Sequence, residues 1–318
     1  MINFANVPDN GYTYCLNAHH SLLPPTYTKH IMKKLVALGL AAVLPAMLAA
    51  QTGKVMDNLS MTSKILKMDR KYAIYLPPDY ETSQRSYPVL YLLHGGGDDQ
   101  TGWVQFGEVL HIADEAINQG KATPMIVVMP DANTGQRGYF NDIKGEWLYE
   151  DFFFQEFVPF IEKQYRIKGE KRYRAVAGLS MGGGGTFMYA LHHPEMFSSA
   201  CPLSASTGAL SLEQARKNYV ERGITNVTDA EIEAYYKRHS VLPLLDSIPD
   251  DQKKAVRWYI DCGDDDFLYE GNSLVHIAMR KKEIPHEFRI RDGGHTWTYW
   301  RESFPEVLAF ISEAFHQY

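Results

Sequence analysis

Near the middle of the chain, Gly178-Leu179-Ser180-Met181-Gly182 sets a serine between two glycines in the G-x-S-x-G pattern of a nucleophile elbow. The chemistry this predicts is acyl transfer through a serine ester. A serine hydroxyl is a weak nucleophile at neutral pH; it needs a base within hydrogen-bond reach and a carboxylate that orients the base. Downstream, Asp261-Cys262-Gly263-Asp264-Asp265-Asp266 offers carboxylates and Asp292-Gly293-Gly294-His295 offers an imidazole, so the chain order is Ser, Asp, His. Spacing does not separate Asp261, Asp264, Asp265 and Asp266, although Asp261 still falls within the strand-like run. His295 sits at the end of a strand-like segment, and of its competitors His192, His193, His276, His286 and His316 none does. An oxyanion needs two backbone donors: the N–H of Met181, directly after the serine, and one from the glycine-rich loop His94-Gly95-Gly96-Gly97-Asp98. That loop is not a phosphate cradle, because no Lys-Ser or Lys-Thr follows it and its glycine spacing is wrong for a dinucleotide.

Strand ends must hold these groups together. Short apolar runs bounded by turn residues recur at 72–76, 89–93, 125–129, 175–177, 199–203, 256–260 and 287–290. Several lack in–out alternation, as strands buried on both faces do. Helical spacing occupies 106–118, 148–165, 186–192, 273–282 and 299–315. Strand alternating with helix predicts an α/β fold, a mostly parallel sheet with helices on both faces, whose working groups gather at the carboxyl ends of the strands. Residues 206–252 interrupt this rhythm with polar helical stretches at 212–221 and 229–238. They read as a helical insertion before the acid-bearing strand, either a surface excursion or a cap over the site.

Composition narrows the function classes. With 45% hydrophobic and 22% charged residues the chain is not disordered. A net charge of -6, from 38 acidic and 32 basic side chains, leaves no footprint for a phosphate backbone, so no nucleic acid is expected as partner. The three cysteines, Cys15, Cys201 and Cys262, are too few for a disulfide scaffold and too widely spaced for a metal pair. Cys201 and Cys262 are expected to be buried free thiols. No metal or cofactor is expected, and the chemistry falls to oxygen and nitrogen.

Met32-Lys33-Lys34 followed by an apolar run over 35–50 has the layout of a signal peptide, with cleavage near Ala50. The run contains Gly39 and Pro45 and is shorter than the ~20 residues of a spanning helix; no cysteine follows it to take a lipid. Export without a stable membrane anchor is the expectation. Residues 1–31 show no periodicity and read as a non-native N-terminal extension ahead of a natural start at Met32. Beyond the signal peptide (32–50), residues 51–318 show no repeat, low-complexity tract or linker and read as one domain. Losing Lys29, Lys33 and Lys34 against Asp9 alone makes the mature chain more acidic.

Taken in order, Leu92-Leu93-His94-Gly95-Gly96-Gly97 with Trp103, Gly178-Leu179-Ser180-Met181-Gly182-Gly183, Cys262-Gly263 with Asp266-Phe267-Leu268-Tyr269, and Gly293-Gly294-His295-Thr296-Trp297 span almost the whole mature chain. The series resembles the esterase D and feruloyl esterase group, which includes the family-one carbohydrate esterases of the α/β-hydrolase superfamily. The resemblance implies an α/β-hydrolase fold with Ser180 as nucleophile, Asp266 as acid and His295 as base; it favours Gly96 over Gly95 as the oxyanion donor beside Met181. Relatives commonly carry Asp after the catalytic histidine, where this chain has Thr296. Trp103, Tyr139 and Trp297 would supply aromatic surface for a sugar or a phenolic acyl group. The expected function is an exported serine carboxylesterase that deacylates plant polysaccharide, of the feruloyl or acetyl xylan esterase kind. Alternatives are a short-chain esterase, a thioesterase of the S-formylglutathione hydrolase type, which export argues against, or an acyltransferase with the same acyl-enzyme. A non-catalytic carbohydrate-binding module is disfavoured by intact Ser180, Asp266 and His295.

Overall fold

The structure, a computed structural model, describes residues 52–133 and 138–316. The expected extension over 1–31 and signal peptide over 32–50 lie outside the described residues. The strands are β1 (Lys54–Ser63), β2 (Met68–Leu76), β3 (Val89–Leu93), β4 (Ile126–Pro130), β5 (Arg174–Leu179), β6 (Ser199–Leu203), β7 (Arg257–Gly263) and β8 (Glu287–Arg291). They form one sheet in the order β1-β2-β4-β3-β5-β6-β7-β8. The β1–β2 and β2–β4 pairings are antiparallel and the rest parallel, the arrangement of an α/β-hydrolase sheet.

Why the sheet is buried on both faces is visible in β3. Every residue is apolar, so alternation sends Val89, Tyr91 and Leu93 into one core and Leu90 and Leu92 into another. The first core is closed by α3 (Tyr149–Phe152), a π-helical turn (Phe153–Phe157), α4 (Val158–Gln164), α5 (Met181–His192) and α9 (Tyr269–Lys281), through residues such as Phe153, Phe157, Phe187 and Val275. The second is closed by α2 (Val109–Asn118), which follows the short α1 (Gly102–Gln105), and by α10 (Trp297–His316), through Val109, Ala113, Phe304 and Leu308.

All seven strands expected from the apolar runs are present, and β1 is an eighth. A bulge between Met56 and Leu59 breaks the period of two that would have revealed this half-exposed edge strand. The helix expected over 148–165 is a single helical run broken by the π turn. Pro159, at the start of α4, has no N–H to donate and would crowd an α-helical carbonyl, which the wider turn relieves.

The insertion holds α6 (Leu212–Glu221), α7 (Asp229–His239) and the unforeseen α8 (Val241–Ser247). Thr228 and Glu231 cap α7 reciprocally. Lys144 pairs with Glu231 at 3.0 Å, the Tyr235 hydroxyl donates to the Asn141 carbonyl at 3.1 Å, and His192 Nε2 meets the Arg238 carbonyl at 2.8 Å. His192 Nδ1 lies 2.7 Å from buried Glu150. Burial alone would raise that carboxyl; the hydrogen bonds from His192 and His193 outweigh it and pull the carboxyl down to about 2. The end of α7 is thus fastened to the C-terminal end of α5, about 18 Å along the helix from Ser180.

Cys201 and Cys262 are buried and unbridged. Burial pushes the Cys201 thiol well above its ordinary value and the Cys262 thiol up to about 12, so neither supplies a thiolate nucleophile. Among the described residues no helix is long and apolar enough to cross a membrane.

Candidate active site

Strand β5 ends at Leu179, and Ser180 turns the chain directly into α5 with φ 54 and ψ -114. A side chain in the left-handed region costs about 1–3 kcal/mol, so the turn must be held from outside. The Ser180 N–H donates to the Leu203 carbonyl at 2.9 Å, and the Gly184 and Ser206 N–H groups donate to the Ser180 carbonyl at 3.0 Å. A Cβ on Gly178 would fall 2.6 Å from the Gly182 carbonyl oxygen, and one on Gly182 would fall 2.5 Å from the Leu93 carbonyl oxygen. Four glycines in the first turn of α5 weaken it by about 2–4 kcal/mol relative to alanine, yet the close approach of β3 and β6 leaves no room for side chains.

His295 follows β8, with Nε2 2.9 Å from Ser180 Oγ and Nδ1 2.8 Å from Asp266 Oδ2. The loops carrying Asp266 and His295 converge because Gly263 lets the Gly293 carbonyl lie where a Cβ would stand, 2.0 Å away. Asp266 is fully buried and accepts from the Leu268 N–H at 2.8 Å. Burial would raise its carboxyl, but hydrogen bonds from His295, the Leu268 N–H and Ser204 hold it below the ordinary carboxylate value. It is therefore an anion aimed at an imidazole.

Geometry separates the aspartates that spacing could not. Asp261 is consumed by Arg291, 2.6 Å away, and by the hydroxyls of Tyr259 and Tyr299. Asp264 is exposed and accepts from the Gly293 N–H at 3.1 Å, and Asp265 is exposed. With Asp292 these two could meet at one ion, but all three are exposed surface carboxylates. Of the competing histidines, His192 belongs to Glu150, and His276 and His286 bond each other at 2.8 Å.

The loop 94–98 lies against the serine: a Cβ on Gly95 would stand 3.5 Å from Ser180 Cβ, whereas one on Gly96 would meet nothing within 4 Å. His94 donates Nδ1–H to the Gly95 carbonyl at 2.9 Å while its Nε2 accepts from the Ala132 N–H at 3.0 Å. Those partners require the neutral ring, and burial lowers its pKa accordingly. Because C=O and N–H point oppositely across a trans peptide, fixing the Gly95 carbonyl also turns the Gly96 N–H away from His94.

The Esterase family model matches residues 63–311, most of the chain. The chain belongs to the Esterase family. A solved ferulic acid esterase is 36% identical to it, with a TM-score of 0.73 over 83% of this chain and 99% of that one. An endo-1,4-beta-xylanase/feruloyl esterase from Xylanibacter ruminicola is 40% identical over 145 residues, covering 42% of this chain and 19% of that protein. S-formylglutathione hydrolase from Bos taurus is 27% identical over 276 residues, covering 78% and 87%. The esterase spans less than a third of the length of the curated relatives with which it shares 40% identity.

Two aromatic residues expected at the substrate surface of the esterase are elsewhere. Trp103 and Tyr139 are fully buried and cannot touch a substrate. Trp103 Nε1 donates to the Leu93 carbonyl at 3.0 Å and the Tyr139 hydroxyl to the His94 carbonyl at 3.1 Å, so both pin the backbone that leads into the glycine loop. Trp297 is half-buried at the rim, edge-on to Trp103 and Trp300. Ser204, which no motif marks, stands just after β6 with φ 43; its hydroxyl accepts from Trp300 Nε1 at 3.0 Å and bonds Asp266. Trp300 in turn meets the His295 ring edge-on at 4.8 Å. The only signal for Ser204 in the sequence was its place at a strand end.

Proposed function

We propose that this esterase is exported and hydrolyses carboxylic esters of plant polysaccharide through Ser180, His295 and Asp266. The observation that carries the reading is the unbroken hydrogen-bonded series from Ser180 Oγ through His295 to Asp266, seated on a strained elbow. His295 Nε2 takes the Ser180 proton as Oγ attacks the ester carbonyl carbon, while Asp266 stabilises the imidazolium. The oxyanion accepts from the N–H groups of Met181 and Gly96, each worth roughly 3 kcal/mol, and faces the positive end of the α5 dipole. Collapse breaks the ester bond; the departing alcohol takes the proton from His295, and water repeats the sequence on the acyl-enzyme. Support for a feruloyl ester comes from likeness to the ferulic acid esterase, and support for export from the lysine-led apolar run over 32–50. Thioester hydrolysis is the second reading, favoured by the similarity to S-formylglutathione hydrolase over most of both chains.

A fluorophosphonate should label one site per chain, mapped to Ser180 by peptide mass, and the labelled protein should lose all turnover of methyl ferulate and acetylated xylan. Turnover of S-formylglutathione well above both esters would favour the thioesterase, and a label on any other residue would sink the assignment.

His94→Ala tests the oxyanion loop. Losing the His94 bond leaves the Gly95 carbonyl only the long contact from the Asp98 N–H at 3.4 Å, which lets the Gly96 N–H turn, so kcat on p-nitrophenyl acetate should fall roughly 10- to 100-fold with KM little changed. Equal changes in kcat and KM would instead mean that His94 serves only to hold the loop to Ala132.

A further inference from the structure

Single apolar side chains on a surface need no explanation, but a connected set that flanks a reactive group does. Phe267 is 72% exposed and Phe106 47% exposed. They are the two ends of one aromatic band. The Phe267 ring lies 4.5 Å from His295, His295 4.8 Å from Trp300, Trp300 5.3 Å from Trp297, and Trp297 6.0 Å from Phe106. The inner rings are held by the fold: Trp300 through Ser204, and Trp297 against buried Trp103. Phe267 is held by the turn that seats Asp266, since the Leu268 N–H beyond it binds the same carboxylate. The exposed rings are thus presented on a rigid base, Phe267 directly against the imidazole and Phe106 joined to it through Trp300 and Trp297.

Beside Phe106 opens a cleft of about 500 Å³ whose wall includes Asp98, Asp99, Thr101 and Gln105. The band therefore ends on the exposed apolar ring of Phe106, and next to it stand hydrogen-bonding side chains. A sugar ring has the complementary character, with C–H groups on its faces and hydroxyls around its rim. A phenolic acyl group has little use for a wall so rich in acceptors.

His295 decides which half of the ester meets this surface. Its Nε2 must deliver a proton to the leaving oxygen, so the alcohol attached to that oxygen emerges beside the His295 ring. We infer that Phe267 and Phe106 form the platform that seats a sugar alcohol, with its hydroxyls in the cleft beside Phe106, and so determine leaving-group specificity. This rests on the reading that Ser180 and His295 carry out the reaction.

The test uses two pairs of esters that share an acyl group and differ in alcohol: methyl 5-O-feruloyl-arabinofuranoside against methyl ferulate, and an acetylated methyl xyloside against ethyl acetate. Phe267→Ala and Phe106→Ala should each lower kcat/KM on the sugar ester of a pair by roughly tenfold, expressed in KM, and leave its small-alcohol partner within about twofold. Because both rings are exposed, thermal unfolding should hardly change, and Phe267→Tyr should restore the sugar ester. Equal losses on both members of a pair, or no loss on either, would overturn the inference. So would a wild-type enzyme that shows no preference for the sugar ester in either pair, an outcome that leaves Ser180 chemistry standing. Unchanged ester turnover in Ser180→Ala would instead remove the reading beneath it.

Discussion

Ser180→Ala should lower kcat/KM on p-nitrophenyl acetate about 10⁶-fold while leaving the thermal unfolding curve almost unchanged. The size of the effect follows from what is lost. Without Oγ no acyl-enzyme forms, and His295 and the oxyanion donors can act only on water, which is not held in their geometry. The fold should survive because the serine turn is secured by backbone bonds to Leu203, Gly184 and Ser206, none of which uses the side chain. A variant that kept more than about one part in a hundred of the activity would place the nucleophile elsewhere, beyond what oxyanion stabilisation alone supplies.

Asp266→Asn should cost about 10⁴-fold in kcat at neutral pH. The amide keeps the shape of the carboxyl but not its charge, so the imidazolium formed on proton transfer is no longer stabilised and the His295 tautomer is no longer imposed. Stability carries a second signature. The Asp266 carboxyl is held below its ordinary value in the folded protein because its hydrogen bonds outweigh the cost of burial. A depressed folded pKa means the group stabilises the fold at pH above its unfolded value, about 4, and that this contribution fades as pH falls through the folded value. Wild type should lose Tm below about pH 4 more steeply than Asp266→Asn, measured by thermal unfolding from acid to neutral pH. Asp261→Asn is the internal contrast: it removes the charge that pairs with Arg291 and should lower Tm at neutral pH while sparing kcat. If Asp261→Asn lost the activity and Asp266→Asn kept it, the acid would be misassigned.

Local features were the legible ones. The proposed nucleophile could be read because a strand, a strained serine and a helix are consecutive, and because glycines two positions away are demanded by backbone that comes within 2.5–2.6 Å. β3 falls on the boundaries its apolar run sets, since a strand buried on both faces is mostly apolar, and β6 does so as well although it opens on the buried Ser199. β1 was hidden because its bulge shifts the alternation midway.

The sequence by itself determined the proposed chemistry: a serine on an elbow, a histidine after the last strand, an acid after the strand before it, and a glycine loop proposed to bind the oxyanion. These depend on residue type and on order along the chain, which the parallel sheet converts into neighbouring strand ends. Spacing left four aspartates within six residues open and the family resemblance pointed to Asp266; the tertiary structure places Asp266 against His295, because the four differ only in where the turn beyond Gly263 directs them. It also moved Trp103 and Tyr139 from the substrate surface to the underside of the glycine loop, joined Ser204 to Asp266, and left Phe267 and Phe106 outside. An aromatic ring reads the same in a sequence whether it fills a core or faces a ligand; burial, set by contacts between segments far apart in the chain, makes the difference.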